Sequence, residues 1–339
     1  MNKNSSRNLL RSAYHTVFSH FFKKIWALEN ENHELKQHTM DCECLVEQIH
    51  EKVLALIEQN KTLNTQAHIS ELQLQAHRNQ LYFNREHYLS LLHNCLVGLI
   101  YEDAPLTALG QKNYDPTLRE YGWDWPSKAH TMIGSKRLTN VRQLVESVLG
   151  NNVPGDLIET GVWRGGACIM MRAVLAAYGV CDRKVWLADS FCGLPAPDTE
   201  NYPQDSGETF HEYEALAVSL ETVQDNFRRY GLLDDQVVFL QGWFKDTLPQ
   251  APIERIAVLR LDGDLYESTI QPLEALYDKV SDNGFVIVDD YHVVNGCKQA
   301  VHDFLTRRGL NPELREIDGV GVFWKKAACA QQEIQPGNK

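Results

Sequence analysis

Two short runs place acids where they could hold a cation. Arg260-Leu261-Asp262-Gly263-Asp264-Leu265-Tyr266 and Phe285-Val286-Ile287-Val288-Asp289-Asp290-Tyr291 each read as a buried strand running out into carboxylates. If the two strands are neighbours, their ends aim three or four acids at one point. Carboxylates crowded like that repel one another unless a hard cation sits between them, and an all-oxygen set suits Mg²⁺, Ca²⁺ or Mn²⁺. A single strand-end Asp more commonly forms a turn or caps a helix. The metal reading therefore rests on finding Asp-Gly-Asp and Asp-Asp both placed after apolar runs.

These acids need elements to hold them. From about Leu138 the chain alternates apolar strands with amphipathic helices, the pattern of a mostly parallel sheet covered by helices on both faces. The expected strands are 156–159, 184–189, 236–240, 255–262 and 284–289, then a final pair around 313–317 and 319–324. Four of them end in an acid: Glu159, Asp189, Asp262 and Asp289. Ligands in such folds bind beyond the carboxyl ends of the strands, so this rim is the predicted active site.

The exit of the first strand, Glu159-Thr160-Gly161-Val162-Trp163-Arg164-Gly165-Gly166, is a glycine-containing turn into a predicted helix over 167–178. Glycine permits tight backbone geometry, and free N–H groups at a helix start favour an anionic group. The turn is not a dinucleotide fingerprint, because Trp163 stands where GxGxxG has its middle Gly. The next strand ends in Asp189-Ser190-Phe191, where an acid can accept hydrogen bonds from two ribose hydroxyls. A ribose-binding acid without a pyrophosphate motif points to S-adenosylmethionine.

Composition bounds the remaining possibilities. A formal charge of -12 argues against sequence-independent nucleic-acid binding, which relies on a basic face. No apolar run approaches the ~20 residues of a membrane span, and the N-terminus lacks a compact apolar signal core. The eight cysteines show no paired zinc spacing and read as reduced thiols of a cytoplasmic protein.

Up to Val97 there is neither Gly nor Pro, so long uninterrupted helix is expected. Leu28, Leu35, Cys42, Ile49, Leu56 and Leu63 recur every seven residues, with Leu45, Val46 and Val53 partly filling a second stripe. Glu31, His38, Lys52 and Gln59, and in the neighbouring stripe Asn32 and Asn60, interrupt the pattern. The seam predicts a coiled-coil arm that holds a homo-oligomer or docks a partner; the alternative is a solvated arm folded back on its own domain. The expected organisation is an arm over 1–84, a cap or lid segment over 85–137, a catalytic core over 138–326 and a flexible tail over 327–339.

Taken together, the runs 156–166, Ala188-Asp189-Ser190-Phe191 with Gly193-Leu194-Pro195, Gly242-Trp243-Phe244 with Thr247-Leu248-Pro249, 261–269 and Val288-Asp289-Asp290-Tyr291 resemble the macrocin O-methyltransferase (TylF/MycF-type) family. His130-Thr131-Met132-Ile133-Gly134 and Leu99-Ile100-Tyr101-Glu102-Asp103 resemble its N-terminal portion. The similarity runs from roughly Leu89 to Lys325 and leaves the arm outside.

The resemblance implies a class I methyltransferase fold: a Rossmann-like, mostly parallel sheet with an antiparallel C-terminal strand. It also implies Mg²⁺-dependent methyl transfer from S-adenosylmethionine to a sugar hydroxyl of a glycan or glycosylated metabolite. Asp262, Asp289 and Asp290 would hold the metal. Asp262 is the candidate base, with Asp264 and His292 as rivals. Glu159, Gly161, Val162, Gly165 and Gly166 would surround the methionine part, and Asp189 beside Ser190 the ribose. Gly242 and Trp243 would flank adenine, Met132 would close over the cofactor, and Asp262 would also touch it. The polar segment 196–213 has the length of a mobile loop over the acceptor. Competing expectations are an inactive, arm-organised interaction protein and another nucleotide-cofactor enzyme such as a dehydrogenase.

Overall fold

A computed structural model of the 339-residue chain describes residues 3–106 and 112–328, with side chains from residue 11 onward. Most of the predicted tail, residues 329–339, lies outside the described residues. By internal contacts the chain separates into Met1–Leu81 and Tyr82–Lys339.

The first unit belongs to one helix, α1 (Lys3–Leu96), 94 residues long. Its length follows from the absence of any breaker before Gly98. Every residue from 11 to 84 is exposed, and burial of α1 begins in earnest at Leu89, Leu92 and Leu96. No helix among the described residues is long and apolar enough to cross a membrane.

The second unit continues through α2 (Pro116–Tyr121), α3 (Gly134–Gly150), β1 (Asp156–Thr160), α4 (Gly166–Ala177) and β2 (Val185–Asp189). After a long connection come α5 (Leu220–Arg229), β3 (Val237–Gln241), α6 (Phe244–Thr247) and β4 (Ile256–Leu261). The chain then forms α7 (Tyr266–Leu276), β5 (Val280–Val288), α8 (Asn295–Arg307), β6 (Arg315–Glu316) and β7 (Val322–Lys325). One seven-stranded sheet results, in the order β3-β2-β1-β4-β5-β7-β6. The first five strands are parallel, and β7 runs antiparallel to both β5 and β6.

The alternation of side chains along each strand sorts the core into two layers. Leu157, Val185 and Leu187 face one way and join residues of α3, α4 and α5 and the end of α1. Ile158, Trp186 and Ala188 face the other way and join α7 and α8. Both faces of the inner strands are therefore covered, which is why they read as continuous apolar runs.

Three strands depart from the expected bounds by more than a residue, among them the last, which starts at Val322 rather than 319. β5 begins at Val280 rather than 284, because the polar stretch Ser281-Asp282-Asn283 still pairs through its backbone: the Asn283 N–H donates to the Lys326 carbonyl at 3.0 Å. β6 shrinks to two exposed residues at the sheet edge.

Candidate active site

The chain leaves β1 towards β2 and β3, then crosses back to β4 on the other side, so the exits of β1 and β4 flank the sheet's switch point. They come extremely close. Gly161 has φ 86, and a Cβ built there would lie 1.8 Å from the carbonyl oxygen of Asp262. Only glycine lets the first turn meet the strand that ends in the acids.

A cleft of about 370 Å³ opens at this rim, within the range of small-molecule sites. Gly161, Asp189, Ser190, Gly242, Trp243 and Met132 are among its walls, as are Asp262 and Asp264. Asp189 is held in place by the N–H groups of Val162 and Phe191, each 2.7 Å from a different carboxylate oxygen. Burial raises its pKa, which those bonds oppose. The Trp163 ring also lines the cleft, its Nε1 donating to the Ala215 carbonyl at 2.8 Å. A bulky ring there leaves no pyrophosphate cradle, which disfavours a dinucleotide enzyme.

Other predicted contacts lie elsewhere. Val162, Gly165 and Gly166 support the turn without forming cleft wall; at Gly166 a Cβ would meet the His130 carbonyl oxygen at 2.4 Å. Glu159 is buried behind the rim, pairing with Arg260 through one oxygen and accepting from the Cys168 thiol at 2.8 Å through the other. Its burial pushes the carboxyl up to about 7 against the opposing pull of Arg260. His292 is exposed, stacks edge-on against Tyr291 with ring centroids 4.9 Å apart, and is not a wall of the cleft.

Behind Asp262 the acids gather. Asp262, Asp289 and Asp290 each offer an oxygen, and these oxygens all lie within 4.8 Å of one another. The adjacency follows from register: Leu261 on β4 pairs with Val288 on β5, and the Asp289 N–H extends the ladder by donating to the Leu261 carbonyl at 2.9 Å. Arg260, with no exposed surface, donates to Glu159, to Asp262 Oδ2 at 2.6 Å and to Asp289 Oδ1. Arg137 from α3 donates to the other oxygen of Asp289 and reaches Asp318 at 3.1 Å.

The two cations leave part of the negative charge uncompensated. Asp290 is buried, and its Oδ2 has no hydrogen-bond partner among the described residues. Burial, then the neighbouring Asp264, Asp262 and Asp289, push its carboxyl well above the usual range. Asp264 rises to about 7 through burial and then repulsion from Asp262 and Asp289. An orphaned buried carboxylate oxygen beside two further acids fits a hard divalent cation. Arg137 and Arg260 hold both Asp289 oxygens, so that residue would contribute through its remaining lone pairs.

Arg137 had no local signal in the sequence: it is 152 residues from Asp289. Asp205 was also missed. It lies in the segment expected to be a mobile loop, yet is fully buried and accepts from the N–H groups of Tyr266 at 2.6 Å and Glu267 at 3.0 Å. α7 has no side-chain cap of its own at Leu265, so Asp205 supplies one from a distant part of the chain. The same segment carries two short 3₁₀ turns with a third directly after it, and the residues that lead into it, Gly193 to Ala196, line the cleft. Asp205→Ala should lower stability by about 1–2 kcal/mol. Urea unfolding would check this, and an unchanged midpoint would remove Asp205 as an anchor.

Known proteins similar to this chain are O-methyltransferases. The family model for macrocin O-methyltransferase (TylF) matches residues 52–326. The match begins inside the arm, earlier than the resemblance from Leu89, because a Gly-free helical stretch carries no turn motif by which to see it. The chain is 54% identical over 256 residues to 8-demethyl-8-(2,3-dimethoxy-alpha-L-rhamnosyl)-tetracenomycin-C 4'-O-methyltransferase of Streptomyces olivaceus, covering 74% of this chain and 97% of the relative. It is 50% identical over 248 residues to mycinamicin III 3''-O-methyltransferase of Micromonospora griseorubida, covering 72% of this chain and 97% of the relative. Among solved structures, the O-methyltransferase NovP superposes with a TM-score of 0.69 at 53% identity, over 72% of this chain and 100% of that one.

Proposed function

The chain belongs to the macrocin O-methyltransferase (TylF) family and is an S-adenosylmethionine-dependent O-methyltransferase, and from that premise we propose that it methylates a sugar hydroxyl of a glycosylated small molecule with the help of Mg²⁺. The observation that carries the metal is the buried, unpartnered oxygen of Asp290 beside Asp262 and Asp289. The acceptor class is carried by the relatives, one of which is named for a rhamnosyl substrate.

Asp262, Asp289 and Asp290 would hold the cation. When bound, it supplies Lewis-acid polarisation to a hydroxyl that otherwise keeps its proton at neutral pH. Asp262 and Asp264 both line the cleft, but Asp262 is tied to Arg260, whereas Asp264 has no ion pair among the described residues. Asp264 is therefore the better candidate to accept the hydroxyl proton at its carboxylate, with Asp262 as ligand. That preference reverses the ranking drawn from sequence, which put Asp262 first. Asp189 would fix the ribose hydroxyls, while Trp163 and Met132 narrow the cleft against water. Trp243 and Gly242, which line the same cleft, would flank adenine.

Asp189→Ala should weaken S-adenosylmethionine and its demethylated product by roughly 1.5–3 kcal/mol through lost charge-assisted hydrogen bonds. Isothermal titration tests it, and an unchanged affinity would take Asp189 out of the cofactor site. The function as a whole is tested by methyl transfer from labelled S-adenosylmethionine to a panel of rhamnosylated aglycones, with EDTA and with Mg²⁺ restored. Full turnover in the metal-stripped enzyme would end the metal reading. Transfer to free aglycones but to none of their glycosides would end the acceptor reading.

A further inference from the structure

The exposed face of α1 has a register that its monomeric surroundings do not explain. With Leu28 assigned to heptad position d, Leu35, Cys42, Ile49, Leu56 and Leu63 follow at d, and Tyr14 and Phe21 precede them. The matching a positions are Phe18, Ile25, Asn32, Thr39, Val46, Val53 and Asn60. Glu31, His38, Lys52 and Gln59 then fall at flanking g positions rather than in the seam. The helix is unbroken throughout, and Leu28, Leu35, Val46 and Leu56 keep 60%, 62%, 64% and 60% of their surface exposed.

We propose that α1 pairs with a second copy of this chain as a parallel, in-register, two-stranded coiled coil over Tyr14 to Leu63. Three features of the sequence commit it to that occupant. β-Branched Ile25, Val46 and Val53 at a, with Leu28, Leu35, Leu56 and Leu63 at d, favour two strands. Asn32 and Asn60 sit at a, where each meets its own copy only in a parallel, in-register pair; in an antiparallel pair a faces d, and each Asn would oppose an apolar side chain. Charges at g meet those at the following e of the partner helix: Lys24 faces Glu29 and Glu31 faces Lys36. Within its own chain none of Lys24, Glu29, Glu31 and Lys36 has an ion pair among the described residues. Trp26, Met40 and Leu54 lie outside this seam, all at position b.

The chain carries its own probe of this register. Cys42 is at d, facing its symmetry copy, while Cys44 two residues on is at f and faces water. Diamide added to the full-length protein at micromolar concentration would oxidise two facing thiols to one disulfide, itself taking up the two electrons and two protons. A covalent dimer should form in the wild type and in Cys44→Ser, and should be lost in Cys42→Ser. Leu35→Glu with Leu56→Glu should abolish the cross-link while S-adenosylmethionine binding, measured alongside, stays intact. Asn32→Ile with Asn60→Ile should raise the melting temperature of the helix signal and shift the mass from dimer towards higher oligomers. A monomeric wild type by light scattering would overturn the proposal. So would a dimer whose Cys42 resists cross-linking, or one in which Cys44 reacts equally well.

Discussion

Asp290→Asn should abolish methyl transfer at limiting Mg²⁺ while S-adenosylmethionine still binds. The substitution keeps the side chain's size and removes one charge from the place where an oxygen is left without a partner. Outer partners of metal ligands alone are worth about 10–100-fold in metal affinity, so loss of a direct ligand should weaken Mg²⁺ by at least about that much. Asp262→Asn should behave similarly and recover as Mg²⁺ is raised. Asp264→Asn should not recover: with the base removed, kcat should fall by roughly 10²–10⁴ at any metal concentration. If Asp264→Asn is instead rescued by metal, or retains full kcat, the proton must go to Asp262 or to water.

The same cluster sets a pH dependence for metal uptake. Without metal, burial and mutual repulsion hold the Asp264 carboxyl at about 7 and Asp290 well above the usual range, so protons occupy part of the cluster near neutrality. The cation must displace them. Mg²⁺ affinity should therefore rise from pH 6 to pH 8, by up to about tenfold per pH unit for each proton released. Titrations in buffers of different ionisation enthalpy would count those protons, and a pH-independent affinity would show that the cluster is already ionised.

How far the sequence disclosed this site depends on the kind of signal. β1, β2, β4 and β5 were legible because strands covered on both faces must be apolar along their whole length, and their acidic exits stood out against that background. Asp262, Asp289 and Asp290 came together as expected because Leu261 and Val288 pair in register. Glu159 shows the limit of the same argument. It ends a strand at the same rim, but its side chain turns inward to Arg260 and Cys168, and no pattern of residue types reveals which way a strand-end carboxylate faces. Arg137 and Asp205 act across 152 and about 60 residues of sequence, respectively, so only the folded chain brings their partners to them. α1 was legible as a helix from its lack of Gly and Pro, and its seven-residue apolar repeat stands in the sequence as well.

Arg260→Met should destabilise the fold strongly. Arg260 is the shared partner of Glu159, Asp262 and Asp289, and removing a guanidinium from a buried ion pair typically destabilises by about 3–5 kcal/mol, because Glu159 and Asp262 would lose their cation and Asp289 would keep only Arg137. The pH dependence separates this cause from lost packing. In the variant the Glu159 carboxyl should titrate higher still than the value of about 7 that it already has beside Arg260, whereas in the unfolded chain a Glu titrates near 4. Between those limits the folded state binds more protons than the unfolded state, so stability falls as pH rises. The deficit of Arg260→Met relative to wild type should accordingly be larger at pH 8 than at pH 5.5 in urea unfolding. Saturating Mg²⁺ should recover part of it at pH 8, since the cation binds only the folded cluster and replaces some of the missing positive charge. A deficit that is the same at both pH values and indifferent to Mg²⁺ would mean that Arg260 matters by filling space, and that the acids around it tolerate one another without it.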